Sequence, residues 1–185
     1  MPFGSRAACV ALIMGLALAA LAPAARAQEQ DLPPALQPVD PVAAEGQLQA
    51  MTNQLRAQYG LRPLQLSRAA SEVGLDRSWG LWECRLCSFD HQIPGVGFGP
   101  DWIITQVRGA IGAGENLGVS QGPNDNLMDR LFQDWVESPA HLENLLRPQW
   151  THMGLGIVEV RPVRGPPIKV VTHVFIMAGG PLSHV

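Results

Sequence analysis

The sequence predicts an α+β domain in which helices cover both faces of a sheet. Helical apolar spacing dominates the first half of the domain, whereas residues 153–160 and 168–177 are rich in valine and isoleucine. Both late segments are apolar on both faces, which is typical of strands buried between two layers. About 140 residues follow the amino-terminal segments described next, which is enough for one domain with a sizeable core.

The amino terminus has the three parts of a cleavable export signal. A basic start ends at Arg6, an apolar run follows, and Ala25-Arg26-Ala27 forms a small-x-small cleavage site. We expect residues 1–27 to be removed and the protein to be secreted or periplasmic, with no transmembrane segment after cleavage. An uncleaved membrane anchor is the alternative, because the apolar run is barely long enough to span a bilayer.

The rest of the chain divides into three predicted parts. Residues 28–44 contain four prolines and few large apolar groups, which predicts a flexible linker. The domain is expected at 45–178, followed by a tail at 179–185 in which His184 lies near a frayed end. Removing the signal leaves 11 basic against 16 acidic residues with no basic run, which argues against nucleic acid as a partner.

Two cysteines remain after the signal, Cys84 and Cys87, with the spacing C-x-x-C. In an oxidising compartment this spacing favours a local disulfide. A redox pair and half of a zinc site are the alternatives. No second C-x-x-C is present to complete a zinc site.

Two helices are predicted at the start of the domain. The first covers residues 45–59 and ends at Gly60, before the turn at Pro63. The second begins at Ser67 as a cap and runs to about Trp82, with four residues on related faces: Ala70, Val73, Arg77 and Leu81.

The middle of the chain is rich in glycine and proline. Residues 88–122 are interpreted as one ordered, site-building loop, because a disordered segment would seldom contain Trp102 and the neighbouring isoleucines. Pro123 is expected to open a third helix, whose apolar stripe includes Trp135 as a core residue. A hairpin turn at 161–167 is expected to join the two late strands.

Three short motifs hold the candidate site residues. They are Phe89-Asp90-His91, Gly114-Glu115-Asn116, and a longer one that runs from Trp135 through Ser138-Pro139 to His141. Ser138 is expected to be an N-cap, which puts His141 at the third helical position, where the helix dipole lowers the histidine pKa. Two histidines and one carboxylate form a common zinc ligand set. Spacing along the chain leaves open whether the three segments meet.

In this order the motifs resemble the CAP superfamily of cysteine-rich secretory, antigen 5 and pathogenesis-related proteins, in its small bacterial SCP-like form. The resemblance covers about residues 45–178. Further matching segments are Asn53-x-x-Arg56, Gly60-Leu61-x-Pro63-Leu64, Met153-Gly-Leu-Gly156 and the strand around Phe175.

The resemblance implies a three-layer α-β-α sandwich with a short antiparallel sheet and a central cavity. His91, Glu115 and His141 then occupy three cavity positions, with His91 and His141 as candidate ligands of zinc or another divalent cation. Many larger members have a glutamate where Ser138 stands, and the adjacent Glu137 is a weaker fourth candidate because one residue turns it about 100° around the helix. Asn116 is expected to support the structure around the cavity.

Two functions follow from this comparison. The first is a non-enzymatic, monomeric module that binds a small ligand, a lipid or an extracellular protein. The second is a zinc-dependent hydrolase in which His91 and His141 hold the metal and Glu115 acts as a ligand or general base. No H-E-x-x-H motif or nucleophile elbow supports the hydrolase independently.

Overall fold

The computed structural model describes residues 37–84, 89 and 91–185. The helices are α1 Pro41–Gln58, α2 Arg68–Glu83, α3 Gly99–Gln106, α4 Leu127–Glu137 and α5 Pro139–Leu146. The strands are β1 Gln65–Leu66, β2 Gln92–Ile93, β3 Gly97–Phe98, β4 Val107–Gln121, β5 His152–Val160 and β6 Ile168–His184. The predicted signal and most of the predicted linker lie outside these residues.

The main sheet has four strands in the order β1-β5-β6-β4. β5 and β6 form the predicted antiparallel hairpin over residues 161–167, and β6 also pairs antiparallel with β4. The short β1 adds a parallel pair beside β5, while β2 and β3 form a separate small hairpin. Within the main sheet β4 is an edge strand, so one of its sides is open to groups from other elements.

Helices cover both faces of the sheet, which confirms the predicted α-β-α sandwich. On one face, α2 and α3 pack against β6 through a cluster that includes Val73, Ile103 and Val174. On the other face, α1, α4 and α5 pack against β5 and β6 around Trp135 and Phe175. Within the described part, no helix is both long and apolar enough to cross a bilayer.

Paired glycines let α2 lie directly on the sheet. A Cβ atom on Gly156 of β5 would lie 1.9 Å from the carbonyl carbon of Gly74 in α2, so neither backbone has room for a side chain there. The motif Met153-Gly-Leu-Gly156 therefore sets the distance between helix and sheet. The close contact fixes the position of α2, which carries part of the candidate site.

The first helix begins earlier than predicted. Asp40 accepts hydrogen bonds from the backbone nitrogens of Val42 and Ala43, and Pro41 occupies the first turn. An aspartate cap followed by proline is a helix start, so residues 41–44 belong to the domain and not to the linker. Proline content predicts a linker here, but Pro41 stands in the first turn of a helix.

The predicted site-building loop is also wrong. Residues 92–106 form the β2–β3 hairpin and α3, and residues 107–121 form β4. The glycines of β4 are places of close packing, since a Cβ on Gly114 would lie 2.9 Å from the Trp150 ring and one on Gly118 2.9 Å from Leu131. These glycines therefore occur where large side chains pack directly against the backbone of β4.

The predicted tail is part of the sheet as well. β6 continues to His184, where Val107 and Arg108 of β4 pair with His184 and Ser183. The Nε2 atom of His184 lies 3.5 Å from a carboxylate oxygen of Asp76. Residues 183 and 184 are thus held by pairing with β4, and residues 179–182 lie at a register shift between these pairs and the pair of Ala110 with Ala178.

One buried histidine has no polar partner. His173 of β6 lies with its ring centroid 4.0 Å from that of Phe175 and 5.6 Å from that of Trp135, and neither ring nitrogen has a hydrogen-bond partner among the described residues. Burial lowers the pKa of His173 from 6.5 to about 3. A protonated ring is therefore incompatible with the folded core near neutral pH.

We predict that His173→Phe removes part of the acid sensitivity of the protein. Between pH 6.5 and 3 the unfolded chain binds a proton at His173 that the folded chain does not. Stability from this residue is thus complete above pH 6.5 and falls on acidification, by about 1.4 kcal/mol per pH unit. Urea unfolding of both proteins across this range should show the steeper loss in the wild type. Parallel pH dependence would contradict the assignment.

Candidate functional site

The candidate site lies at the open edge of β4. Glu115 sits in the middle of this strand, opposite Val174 of β6, and its side chain points toward the layer that contains α2. His141 comes from α5 in the opposite layer. Because β4 is an edge strand, side chains from both layers can approach each other around it.

A buried ion pair is at the centre of the site. Arg77 of α2 places Nε 3.1 Å from Oε2 of Glu115 and a terminal nitrogen 3.3 Å from Oε1. The two side chains are 4% and 0% exposed, so the pair is shielded from water. Two-point contact of this kind is the geometry that suits guanidinium and carboxylate.

His91 forms a third hydrogen bond to the carboxylate of Glu115. Its Nδ1 donates to Oε1 of Glu115 at 2.9 Å, since a carboxylate only accepts. When the ring carries only this proton, Nε2 is an acceptor. The backbone of His91 has φ 70°, a region that residues with side chains rarely adopt, and its carbonyl accepts from Gly99 at 2.7 Å. This strained conformation is held in place by its partners.

His141 reaches the site from α5. Ser138 is the N-cap residue and Pro139 occupies the first turn, as the sequence predicts, although the Ser138 side chain makes no capping hydrogen bond. The pKa of His141 is lowered by burial first and by the charge of His91 second, so the expected direction is confirmed with a different leading cause. Its buried Nδ1 has no hydrogen-bond partner among the described residues.

Two asparagines connect β4 to α5. Asn116 donates to the carbonyl oxygen of His141 at 3.1 Å, and Asn144 donates to the carbonyl of Glu115 at 3.1 Å and to Oδ1 of Asn116 at 3.0 Å. Trp135 lies in the core, and its indole nitrogen donates to Leu117 of the same strand at 2.9 Å. These bonds fix where His141 stands relative to Glu115.

The remaining candidates lie apart from this cluster. Glu137 is exposed at the end of α4 and accepts a hydrogen bond from Gln133 at 2.7 Å. It therefore does not supply the fourth cavity group. The predicted disulfide of Cys84 with Cys87 stays a prediction, because Cys87 lies outside the described residues.

A pocket of about 500 Å³ opens beside Arg77. Its walls come from α2, the β2–β3 hairpin and α3, with apolar surface from Ile93, Pro94, Val96 and Trp102. Asp76 and Glu83, both solvent-exposed residues of α2, also line it. Arg77 thus lies between the pocket and the His91–Glu115 pair.

As arranged, the carboxylate of Glu115 is not free to act as a direct zinc ligand. Both oxygens of Glu115 already accept from Arg77, and Oε1 also accepts from His91. Within the described ranges, no three His, Cys, Asp or Glu side chains converge as a metal site. His91 held by Glu115 resembles the carboxylate-oriented histidine of a general base, but no described hydroxyl or thiol is hydrogen-bonded to its ring.

Sequence reasoning missed the roles of Arg77 and Asn144. Arg77 occurs in the apolar stripe of α2 between Val73 and Leu81, and an arginine at a buried helical position requires a partner. That pattern could have identified it. Asn144 follows His141 by one helical turn, so both side chains lie on the same side of α5.

Comparison with known sequences points to one family. The cysteine-rich secretory protein family, CAP, matches residues 49–176. The uncharacterized protein YkwD of Bacillus subtilis (strain 168) is 31% identical over 117 residues, which cover 63% of this chain and 43% of that protein. The chain thus matches less than half of the length of this relative.

Solved structures share the fold. An extracellular protein with an SCP domain from Bacillus anthracis matches with TM-score 0.58 and 24% identity, over 75% of this chain and 44% of that one. An outer surface protein from Borrelia burgdorferi matches with TM-score 0.58 and 19% identity, over 76% and 96%. At these identities the likeness concerns the fold alone.

We predict that Asn144→Ala destabilises the protein by about 2 kcal/mol, because it leaves the Glu115 carbonyl and the Asn116 side chain without their donor. The neighbouring Glu143→Ala is the control. It removes only an exposed ion pair with Arg147 and should cost about 0.5 kcal/mol or less. Urea unfolding measures both, and equal stability of the two variants would refute the role of Asn144.

Proposed function

The chain belongs to the cysteine-rich secretory protein family, and from this premise we propose that it is an extracellular, non-enzymatic module that binds an amphipathic small molecule. The site of binding is the pocket beside Arg77. The ligand combines an apolar body with a cationic end. The single observation that carries the proposal is this pocket, which joins apolar walls to two carboxylates.

Location outside the cytoplasm is supported by two independent features. Residues 1–27 have the composition of an export signal. Two proteins of similar fold are described as an extracellular protein and an outer surface protein.

The apolar walls fit a ligand of modest size. A volume of about 500 Å³ lies within the range of small-molecule sites, which are mostly apolar with a few placed polar groups. Trp102 is partly exposed on α3, and Val96 is 59% exposed on the hairpin. Covering this surface with an alkyl or aryl group removes apolar area from water, which favours binding.

The acidic residues of the pocket favour a ligand with a cationic end group. Asp76 and Glu83 lie two helical turns apart on α2, and both line the pocket. The positive charge of Arg77 is already neutralised by Glu115. The described residues that line the pocket therefore give it a net negative charge, and the Trp102 ring adds a surface that attracts a cation.

The His91–Glu115–Arg77 cluster has a positioning role in this proposal. It fixes the guanidinium that borders the pocket and connects α2 to β4 and to the segment before the hairpin. A carboxylate with both oxygens engaged is poorly placed to activate water. This favours binding over the hydrolytic alternative.

Two detergents with the same chain test the proposal. We predict that dodecyltrimethylammonium binds below its micelle concentration at least tenfold more tightly than dodecyl sulfate, measured by isothermal titration calorimetry. Trp102→Ala should weaken binding about tenfold through the loss of apolar and cation–π contact. Glu83→Gln should reduce the preference for the cationic head group.

The chain offers matched controls for both variants. Trp79→Ala changes an exposed tryptophan of α2 that does not line the pocket, and Glu72→Gln changes an acid on the same helix that pairs with Arg68. Neither should alter binding. Equal binding of both detergents, or equal effects of Trp79→Ala and Trp102→Ala, would exclude this pocket as the site.

A further inference from the structure

The open edge of β4 is covered along only part of its length. β6 pairs with one side of this strand, so every second residue of β4 directs its backbone N–H and C=O toward the open side. The carbonyl of Glu115 accepts from Asn144 on this side, and the carbonyl of Leu117 accepts from the indole of Trp135. Side chains from α5 and α4 therefore occupy the edge as far as Leu117.

Beyond Leu117 the edge is open. The outward positions continue with a period of two residues at Val119 and Gln121, which pair with β6 only on their other side. Among the described residues, no hydrogen-bond partner occupies the outward backbone groups of these two positions. Val119 is half-buried and Gln121 is exposed. An edge with free backbone groups can pair with an extended segment of another chain.

A groove of about 550 Å³ lies between this part of β4 and α4. Val119 and Ser120 line it on the strand side, and Asp134 and Glu137 line it on the helix side. These two acids are exposed and stand three residues apart, so they lie on the same face of α4. The open edge is thus accompanied by carboxylates at the distance of a neighbouring helix.

The groove has an excess of negative charge. Three carboxylates line it: Asp129, Asp134 and Glu137. Arg130 is the one cation among the described residues that line it, and its guanidinium donates to the backbone carbonyls of Pro123 and Asp125 before α4. The acids therefore outnumber the single arginine, which is already bonded to the preceding loop.

The opposite face of β4 has different chemistry. Val119 and Trp82 pack against a cluster that includes Leu81 and Leu117, on the side of α2. Side chains alternate between the two faces of a strand. A segment added beside β4 would therefore place one set of side chains next to the acidic α4 and the other set next to this apolar cluster.

We infer that the edge of β4 at Val119 and Gln121 binds an extended peptide in which basic residues alternate with apolar residues. The peptide adds a strand to the sheet by backbone hydrogen bonds, and its basic side chains pair with Asp134 and Glu137. A second copy paired through the same edge would bring its own α4 carboxylates toward these acids, and like charges oppose that arrangement. The groove shares no lining residue with the pocket beside Arg77, so the inference is independent of the ligand proposed there.

Two labelled hexapeptides of opposite charge test the preference for basic residues. One alternates lysine with valine and the other alternates glutamate with valine, and fluorescence anisotropy measures their binding to the protein. We expect the lysine peptide to bind at least tenfold more tightly. The double variant Asp134→Asn with Glu137→Gln should weaken its binding at least about fivefold, because two charge pairs are lost. Asp101→Asn, at an exposed acid of α3, is the control and should leave binding unchanged.

Methylated peptides test the added strand itself. In one version of the lysine peptide the valine nitrogens carry methyl groups, and in the other the lysine nitrogens do. Only one of these two sets of N–H groups faces β4 in an added strand. One version should therefore lose at least tenfold in affinity, while the other binds within about threefold of the parent peptide. Equal binding of the two versions, or no binding of the parent peptide at about 1 mM, would overturn the inference.

Sedimentation of the protein without peptide tests a second copy as the occupant. We expect a monomer. Val119→Pro removes an outward N–H that does not bond β6, so it should reduce peptide binding while thermal unfolding shows a folded variant. A wild-type dimer that dissociates in this variant would assign the edge to a second copy and would overturn the inference. If the variant does not fold, the comparison of the methylated peptides still decides the question.

Discussion

The arrangement of the site depends on the buried ion pair between Arg77 and Glu115. A carboxylate on the edge strand β4 cannot stay charged and shielded from water without a compensating cation. Arg77 provides it from α2, and α2 can deliver the guanidinium because Gly74 and Gly156 let the helix lie directly on the sheet. The same carboxylate orients His91, so helix, strand and the segment before the hairpin are held by one charged group.

The open edge of β4 explains why the site draws on both helical layers. A strand inside a sheet has neighbouring strands on both sides. On the open side of an edge strand, the backbone carbonyls are free to accept hydrogen bonds from side chains of either helical layer. Asn144 uses this opening to bond the carbonyl of Glu115, and Asn116 reaches back to the carbonyl of His141. The result is a polar cluster with a fixed geometry beside an apolar pocket. One region of the molecule therefore combines a fixed polar cluster with a pocket of about 500 Å³.

Much of this could be predicted from local sequence patterns, and the failures have physical reasons. The late hairpin and the helix after Ser138 follow from apolar runs and cap residues, and both are confirmed. The glycines of β4 predict a loop, whereas in the structure they leave room for the side chains of Trp150 and Leu131. Local composition does not reveal this packing, because the two large residues come from other parts of the chain. In the site, His91, Glu115 and His141 could be selected by motif. Their distances, and the partner of Glu115, depend on how α2 is placed against the sheet.

A double-mutant cycle between Arg77 and Glu115 tests the central claim most directly. Arg77→Met and Glu115→Leu should each lower the free energy of unfolding by about 3–5 kcal/mol, since each leaves one buried charge without its partner. The double variant replaces both charges by apolar groups, so its loss should be smaller than the sum of the single losses by about 2 kcal/mol or more. Losses that add within about 0.5 kcal/mol would show that the two side chains act independently, and would contradict the account.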